Sequence, residues 1–379
     1  MDRSALAASR LALAAVFSAA CGAAPAADLV IGNVASTTNP TARENSTNLV
    51  LGYTIYFQHL NDEGGIRGRA VKLVNKDDGV NADKMLALTQ ELIADKEVIA
   101  LAGFLNTAGL VEMMKRNVLV EGRIAMIAPI GPMNTVNFYP MRPGYNEEAE
   151  KLLSEAAATQ KKRVAMVYYN QAFGPSVFKF AQESAKALGV NIVATASFET
   201  APEKMEAGIA AAADTLAKAT PDAVIVIAAG AGAFNFVKRF RATPSGDAQL
   251  YALSPADSFG FVKVAGLEAA RGVVISQAIP YPQHTSLAVV REYQRLMKKY
   301  AADKPLSFYS LEGFMGAKIV AEALRRAGPA PTREKVIAAL NTMKDYDLGD
   351  FTVNYSPAQR QGSKMVDLTI IGKNGALYR

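Results

Sequence analysis

The chain has 379 residues, 50% of them apolar and 20% charged. This is a globular composition, and it excludes disorder, collagen and coiled coil as descriptions of the whole. One Cys and two His (His59 and His284) exclude a disulfide-rich scaffold and leave little material for a metal centre or a His-dependent catalytic engine. The formal charge of +6, from 41 basic and 35 acidic residues, is spread in both signs along the chain, so nucleic acid is not expected as a partner.

Residues 1–26 read as a signal peptide. Arg3 and Arg10 make a positive start, residues 11–20 form an apolar and small-residue run, and Ala24-Pro25-Ala26 offers a small-x-small cleavage site. The run is shorter than the roughly 20 apolar residues that a stable membrane span needs. Cleavage after Ala26 would deliver the mature chain to the periplasm. The alternative is a lipoprotein anchored through Cys21, but Phe17-Ser18-Ala19-Ala20 lacks the large aliphatic residue usual three positions before a lipidated Cys.

The mature part alternates short apolar runs with amphipathic stretches. Strands are expected at 29–34, 71–77, 98–104 and 124–130, with helices at 81–95 and 107–121 and a first helix that carries Leu51, Ile55, Phe57 and Leu60 at helical spacing. Pro140 and Pro143 interrupt the rhythm near 141–145. The pattern then repeats, with strands at 164–169, 191–198, 223–228, 250–253 and 272–278 and helices at 175–188, 203–219, 232–241 and 257–265. The tail adds helices at 307–327 and 332–343 and strand candidates at 350–355 and 365–371. Continuous apolar strands between amphipathic helices predict α/β architecture with parallel sheets covered on both faces. There are too many units for one open sheet, so two doubly wound lobes are expected. One would comprise 27–141 plus 279–350, the other 142–278 plus 351–379.

Ligands of open α/β sheets sit beyond the carboxyl ends of the strands. That rule selects Ser36-Thr37-Thr38-Asn39, Gly103-Phe104-Leu105-Asn106-Thr107, Pro129-Ile130-Gly131, the 168–174 loop with Phe173, Ala229-Gly230-Ala231-Gly232, and Ser254-Pro255-Ala256-Asp257. These loops are small, neutral and hydroxyl-bearing, with interleaved aromatic residues. The helix N-termini beside them suit a carboxylate. Asp257 is the acidic residue among them and fits a ligand ammonium, although it equally fits as the N-cap of the following helix. Asn106 and Thr107 have the same capping alternative. Phe173 reads as core or as a ligand wall. Asp77-Asp78-Gly79 reads as turn chemistry. Catalytic motifs are missing: Gly230-Ala231-Gly232 opens like a dinucleotide fingerprint, but Asn235 stands at the third glycine.

Several stretches resemble the branched-chain amino-acid (Leu/Ile/Val) type of periplasmic binding protein, the receptor component of ABC importers. They are Phe57 with Leu60-Asn61, Gly64-Gly65-Ile66 and Gly68; Asp77-Asp78-Gly79; Val167-Tyr168-Tyr169-Asn170-Gln171-Ala172-Phe173-Gly174; Pro221-Asp222-Ala223-Val224; Glu312-Gly313 with Ala317-Lys318; and Leu348-Gly349 with Phe351. The resemblance runs in order through the mature chain. It implies a type I periplasmic binding fold, with two Rossmann-like lobes joined by three crossovers that close on a small molecule, no cofactor and no catalysis. It places Asn106, Thr107, Ile130 and Gly131 at a ligand carboxylate, Phe173 as an aromatic lid and Asp257 at an α-ammonium; Gly230, in its strand-end loop, is a further ligand-binding candidate. A membrane permease is the implied partner, and an aliphatic or aromatic amino acid the implied ligand. An amide, urea or aromatic acid, or a sensing role, stands as the alternative. The carboxylate loop departs from the pattern: its hydroxyls are reduced to Thr107, and Ile130-Gly131-Pro132 has none.

Overall fold

The computed structural model describes residues 27–39, 42–131, 135–170, 173–199 and 201–379. The expected signal peptide, Cys21 included, lies outside them. The chain opens with β1 (Leu29–Val34), α1 (Arg43–Asp62), β2 (Val71–Lys76), α2 (Ala82–Ala94), β3 (Val98–Ala102), α3 (Thr107–Lys115), α4 (Val118–Glu121), β4 (Met126–Ile127) and β5 (Phe138–Tyr139). It continues through α5 (Tyr145–Ala158), β6 (Arg163–Tyr169), α6 (Gly174–Ala187), β7 (Asn191–Phe198), α7 (Pro202–Ala217), β8 (Ala223–Ile227), α8 (Gly230–Arg241) and β9 (Gln249–Ala252). A three-residue turn, α9 (Ser258–Gly260), runs into a π-helical turn (Phe261–Ala265), followed by α10 (Leu267–Ala270) and β10 (Val274–Gln277). The last part holds α11 (Ala288–Tyr300), α12 (Phe308–Arg326), α13 (Arg333–Asn341), β11 (Tyr346–Asp347), β12 (Thr352–Val353), β13 (Asp367–Ile371) and β14 (Leu377–Tyr378).

The first sheet has the order β2-β1-β3-β4-β5, and all its pairs are parallel. The second has the order β14-β13-β10-β9-β8-β6-β7, parallel except where β13 pairs antiparallel with β10 and with β14. The apolar strands explain this. Every residue of β8, Ala-Val-Ile-Val-Ile, is buried, because helices cover both faces of the sheet. In each sheet the strand order reverses beside the first strand, between β1 and β3 and between β6 and β8. That is where a crevice opens in doubly wound folds.

Each sheet has its own core. One gathers β1, β3, α1, α11 and α12 residues, the other residues of α5 to β10 together with Ile371 and Leu377. A third cluster, with Met85, Leu101, Phe104 and Phe138, fills the other face of the first sheet. The chain passes between the two main cores after Met141, after Ile275 and after Tyr355. Phe351, Val353 and Tyr355 pack in the first core, so the third passage follows them rather than falling at 350/351. α1 and α12 touch backbone to backbone: a Cβ on Gly52 would strike the Ser310 carbonyl, and one on Gly313 the Leu49 carbonyl.

The elements differ from expectation where the backbone turns sharply. The helix expected over 107–121 splits at Asn117, which adopts a left-handed φ of 50°. The strand expected at 124–130 shrinks to two residues, ended by Ala128 at φ 48° and by Pro129, which cannot donate to a ladder. The segment expected as a strand at 350–355 joins neither large sheet; β12 pairs with β11 as a separate hairpin. The helix expected over 257–265 becomes α9 plus the π-helical turn.

Candidate functional site

The strand-end loops of the first sheet are stitched together. Ser36 Oγ donates to Asp78 Oδ1 at 2.5 Å, and Asn106 Nδ2 donates to Asp78 Oδ2 at 2.8 Å. Asn106 Oδ1 also accepts from the Gly109 N–H and so caps α3. Asp77 accepts from the Thr37 and Thr38 hydroxyls and from the Thr38 N–H. The Asp77-Asp78 pair thus holds the first loop in place, and Asn106 spends its side chain on this lattice. Thr107 is the first residue of α3 and is partly exposed.

The chemistry that sequence reading missed gathers around Arg142, in the first passage between the cores. Its side chain is only 7% exposed. Arg142 Nη2 donates to Glu148 Oε1 at 2.6 Å and also to Ser254 Oγ. Glu148, fully buried on α5, accepts further from the Ser254 N–H (2.9 Å), Ser254 Oγ (3.0 Å) and Ser276 Oγ (2.6 Å). On the other side, Arg142 Nη1 stands 3.5 Å from Glu312 Oε2. Glu312 belongs to α12, which packs in the first core, whereas Glu148 is on α5, Ser254 follows β9 and Ser276 lies in β10, all of the second half. One guanidinium therefore ties the two halves together. Burial opposes its charge, but the Glu312 and Glu148 carboxylates outweigh burial and hold its pKa above the ordinary arginine value. Burial pushes the Glu312 carboxyl up, and Arg142 offsets that only in part.

Arg142 faces two cavities. The first, about 20 Å³, is lined by Ser254, Asp257, Gln277, Tyr309 and Glu312 among others. The second, about 350 Å³, is lined by Gly131, Tyr145 and Ser176. Asp257, at the carboxyl end of β9, accepts from the Gly260 N–H at 2.8 Å, so it does cap the following turn, and it also reaches the small cavity. Burial raises its pKa. Burial and then the charge of Asp257 raise that of Tyr309, which leaves the phenol a neutral hydrogen-bond donor beside the carboxylate.

Of the expected site residues, Asp257 and Gly131 therefore line cavities that Arg142 also lines. Phe173 is buried behind Tyr145, with ring centroids 4.2 Å apart, and packs on Tyr169 at 4.9 Å. Ile130 is buried in the first core. Gly230 opens α8 at φ 51°, partly exposed. Neither it nor Thr107 is among the residues lining the Arg142 cavities. Arg142 escaped sequence reading because prolines on both sides made its segment look like a linker. The signal was there: a lone cation in an apolar Pro-Met-Arg-Pro stretch, ahead of an acidic helix start.

Among the described residues no group of three or more His, Cys, Asp or Glu is arranged to hold a metal ion, and no helix is long and apolar enough to cross a membrane. The small cavity is lined by the carboxyl groups of Asp257 and Glu312 and by the Arg142 guanidinium, which Glu148 pairs from outside the lining. When ionised, the three carboxyl groups leave an excess of negative charge, a setting that favours a cationic group on a ligand.

A family model described as periplasmic binding protein matches residues 28–376. The chain is 26% identical over 327 residues, 80% of its length and 79% of the relative's, to the Leu/Ile/Val-binding protein homolog 7 of Brucella abortus. A substrate-binding periplasmic protein from Ralstonia solanacearum superposes with a TM-score of 0.84 at 31% identity, covering 92% of this chain and 99% of that one. An extracellular ligand-binding receptor from Verminephrobacter eiseniae superposes with a TM-score of 0.85 at 26% identity, covering 93% and 100%. With two doubly wound halves, a cavity between them and a family match along nearly the whole described length, the chain belongs to the periplasmic binding protein family, as an extracytoplasmic solute-binding protein related to the branched-chain amino-acid binders and not an enzyme.

Proposed function

We propose that the chain is the periplasmic receptor of an ABC importer and that it carries a small amino acid, aliphatic or aromatic, in the cleft between its lobes. The observation that carries this reading is Asp257: a half-buried carboxylate at a strand end of one half, facing a cavity also walled by Tyr309 and Glu312 of the other. A ligand ammonium there would touch both halves and favour their closure. The Thr107 hydroxyl and the first N–H groups of α3 are assigned to the ligand carboxylate. Phe173 supports the apolar wall from behind Tyr145 rather than forming the lid itself. The closed form would dock on a membrane permease. The relation to a Leu/Ile/Val-binding homologue supports this ligand class.

A thermal-shift screen of amino acids, amides and aromatic acids tests the reading. A true ligand at about a hundred times its dissociation constant stabilises the fold by roughly 2.7 kcal/mol. The expected result is a shift with one or a few amino acids. Shifts confined to aromatic acids or urea would refute it. The chain has no Trp, so the readout should be dye-based or calorimetric.

A further inference from the structure

Beside the small cavity under Arg142 lies a much larger chamber of about 470 Å³. The two share Asp257, Phe308 and Tyr309 in their walls, so Asp257 borders both the small inner cavity and the larger outer one. The inner one, about 20 Å³, has room for about one water-sized group, such as an ammonium. The outer one lies in the range of roughly 300–1,000 Å³ that encloses ligands well above the size of a free amino acid.

The chamber's wall has a definite chemistry. Tyr281 and Phe308 set two rings 5.9 Å apart, with Val262 and Leu377 beside them. Asn45 and Asn48, on the first turns of α1, present amides that both donate and accept. The lining holds no Lys or Arg, and its ionisable groups besides the tyrosines are Glu44 and Asp257. An anionic body would be repelled there. Phe259, 59% exposed, also borders the chamber, with Lys263 Nζ 5.7 Å from its ring centroid.

We propose that, besides a free amino acid, the site accepts an amine-headed molecule with an extended, uncharged body, of the class of aminoacyl amides. Its ammonium sits at Asp257, and its apolar or aromatic portion lies in the chamber against Tyr281, Phe308 and Phe259. This deepens the reading above and rests on its assignment of Asp257 to the ligand's amine.

The test is calorimetric titration of the full mature chain with leucine, leucinamide and leucyl anilide. The last two carry the same amine and no carboxylate, and differ by one phenyl group. The anilide should bind at least tenfold more tightly than leucinamide. Ala376→Trp narrows the chamber and should abolish that gain, so that the variant binds the anilide no more tightly than it binds leucinamide. Gln283→Trp, also in the chamber lining, does the same if the first variant does not fold. An anilide no tighter than leucinamide, or a gain that survives both fillings, overturns the chamber assignment while the Asp257 reading stands. If none of the three compounds binds, the Asp257 reading fails and the chamber assignment with it.

Discussion

Replacing Arg142 by Met should destabilise the protein by about 3–5 kcal/mol, the usual cost of removing one partner from a buried ion pair. Little of that cost reflects the worth of the salt bridge itself. It arises because Glu148 is fully buried and Glu312 4% exposed, and neither keeps a counter-charge once the guanidinium is gone. Glu148 would retain the Ser254 and Ser276 donors, whereas Glu312 would lose its ion-pair partner. Urea unfolding checks this, and the midpoint should fall with little change in slope. Two further outcomes are expected. Glu312 already has its pKa raised by burial, and loss of Arg142 raises it further. A carboxyl whose folded pKa lies above its unfolded value stabilises the fold below the unfolded pKa, and that contribution is lost as pH rises through the folded one. The deficit of the variant should therefore shrink as pH is lowered through the raised Glu312 pKa. Replacing Glu148 and Glu312 by apolar residues of similar size in the same chain should recover much of the loss. A variant as stable as the wild type at neutral pH would contradict the view that this guanidinium neutralises the junction.

Asp257→Asn should weaken binding of an amine-bearing ligand by about 2–5 kcal/mol, with little effect on folding, because the amide oxygen can still accept from the Gly260 N–H. Titration calorimetry reads this directly. The pH dependence carries more information than the loss. Burial holds the Asp257 pKa above the usual carboxylate range, and only the ionised form pairs with an ammonium. The affinity of the wild type should fall as pH drops through that raised value, and the Asn variant should lack this dependence. The unliganded fold moves the other way. The raised pKa gives it a stabilising contribution at low pH that fades as pH rises through the folded value. Ligand protection against unfolding should therefore be greatest above that pKa and collapse below it.

Much of the fold was legible because burial on both faces leaves an unmistakable mark. The Val98–Ala102 and Ala223–Ile227 runs carry no polar residue and no breaker. The α12 stretch was also clear, with Ser307 as its cap. What stayed hidden had short or disguised signals. α5 follows a Pro-Met-Arg-Pro-Gly stretch, and its buried Glu148 reads as a surface residue until the Arg142 contact is seen. β4 and β5 are two residues each, too short for a periodicity to show. In the site, Asp257 was legible as the acidic residue in a strand-end loop, and it both caps and faces the cavity. Asn106 has the right position but spends its side chain on Asp78 and the α3 cap. Arg142 and Glu312 were illegible as a pair because only the passage of the chain between the two cores brings them together.

The two halves are proposed to meet over a ligand amine held by Asp257. A crystal structure of the protein with an amino acid or aminoacyl amide that stabilises it tests this most directly. The ligand nitrogen is expected within about 2.7–2.9 Å of an Asp257 carboxylate oxygen, the spacing of a charge-assisted hydrogen bond, with Tyr309 and Glu312 closing the cavity from the other half. A ligand bound in the cleft with a carboxylate or an apolar group against Asp257, and its amine elsewhere, would contradict it.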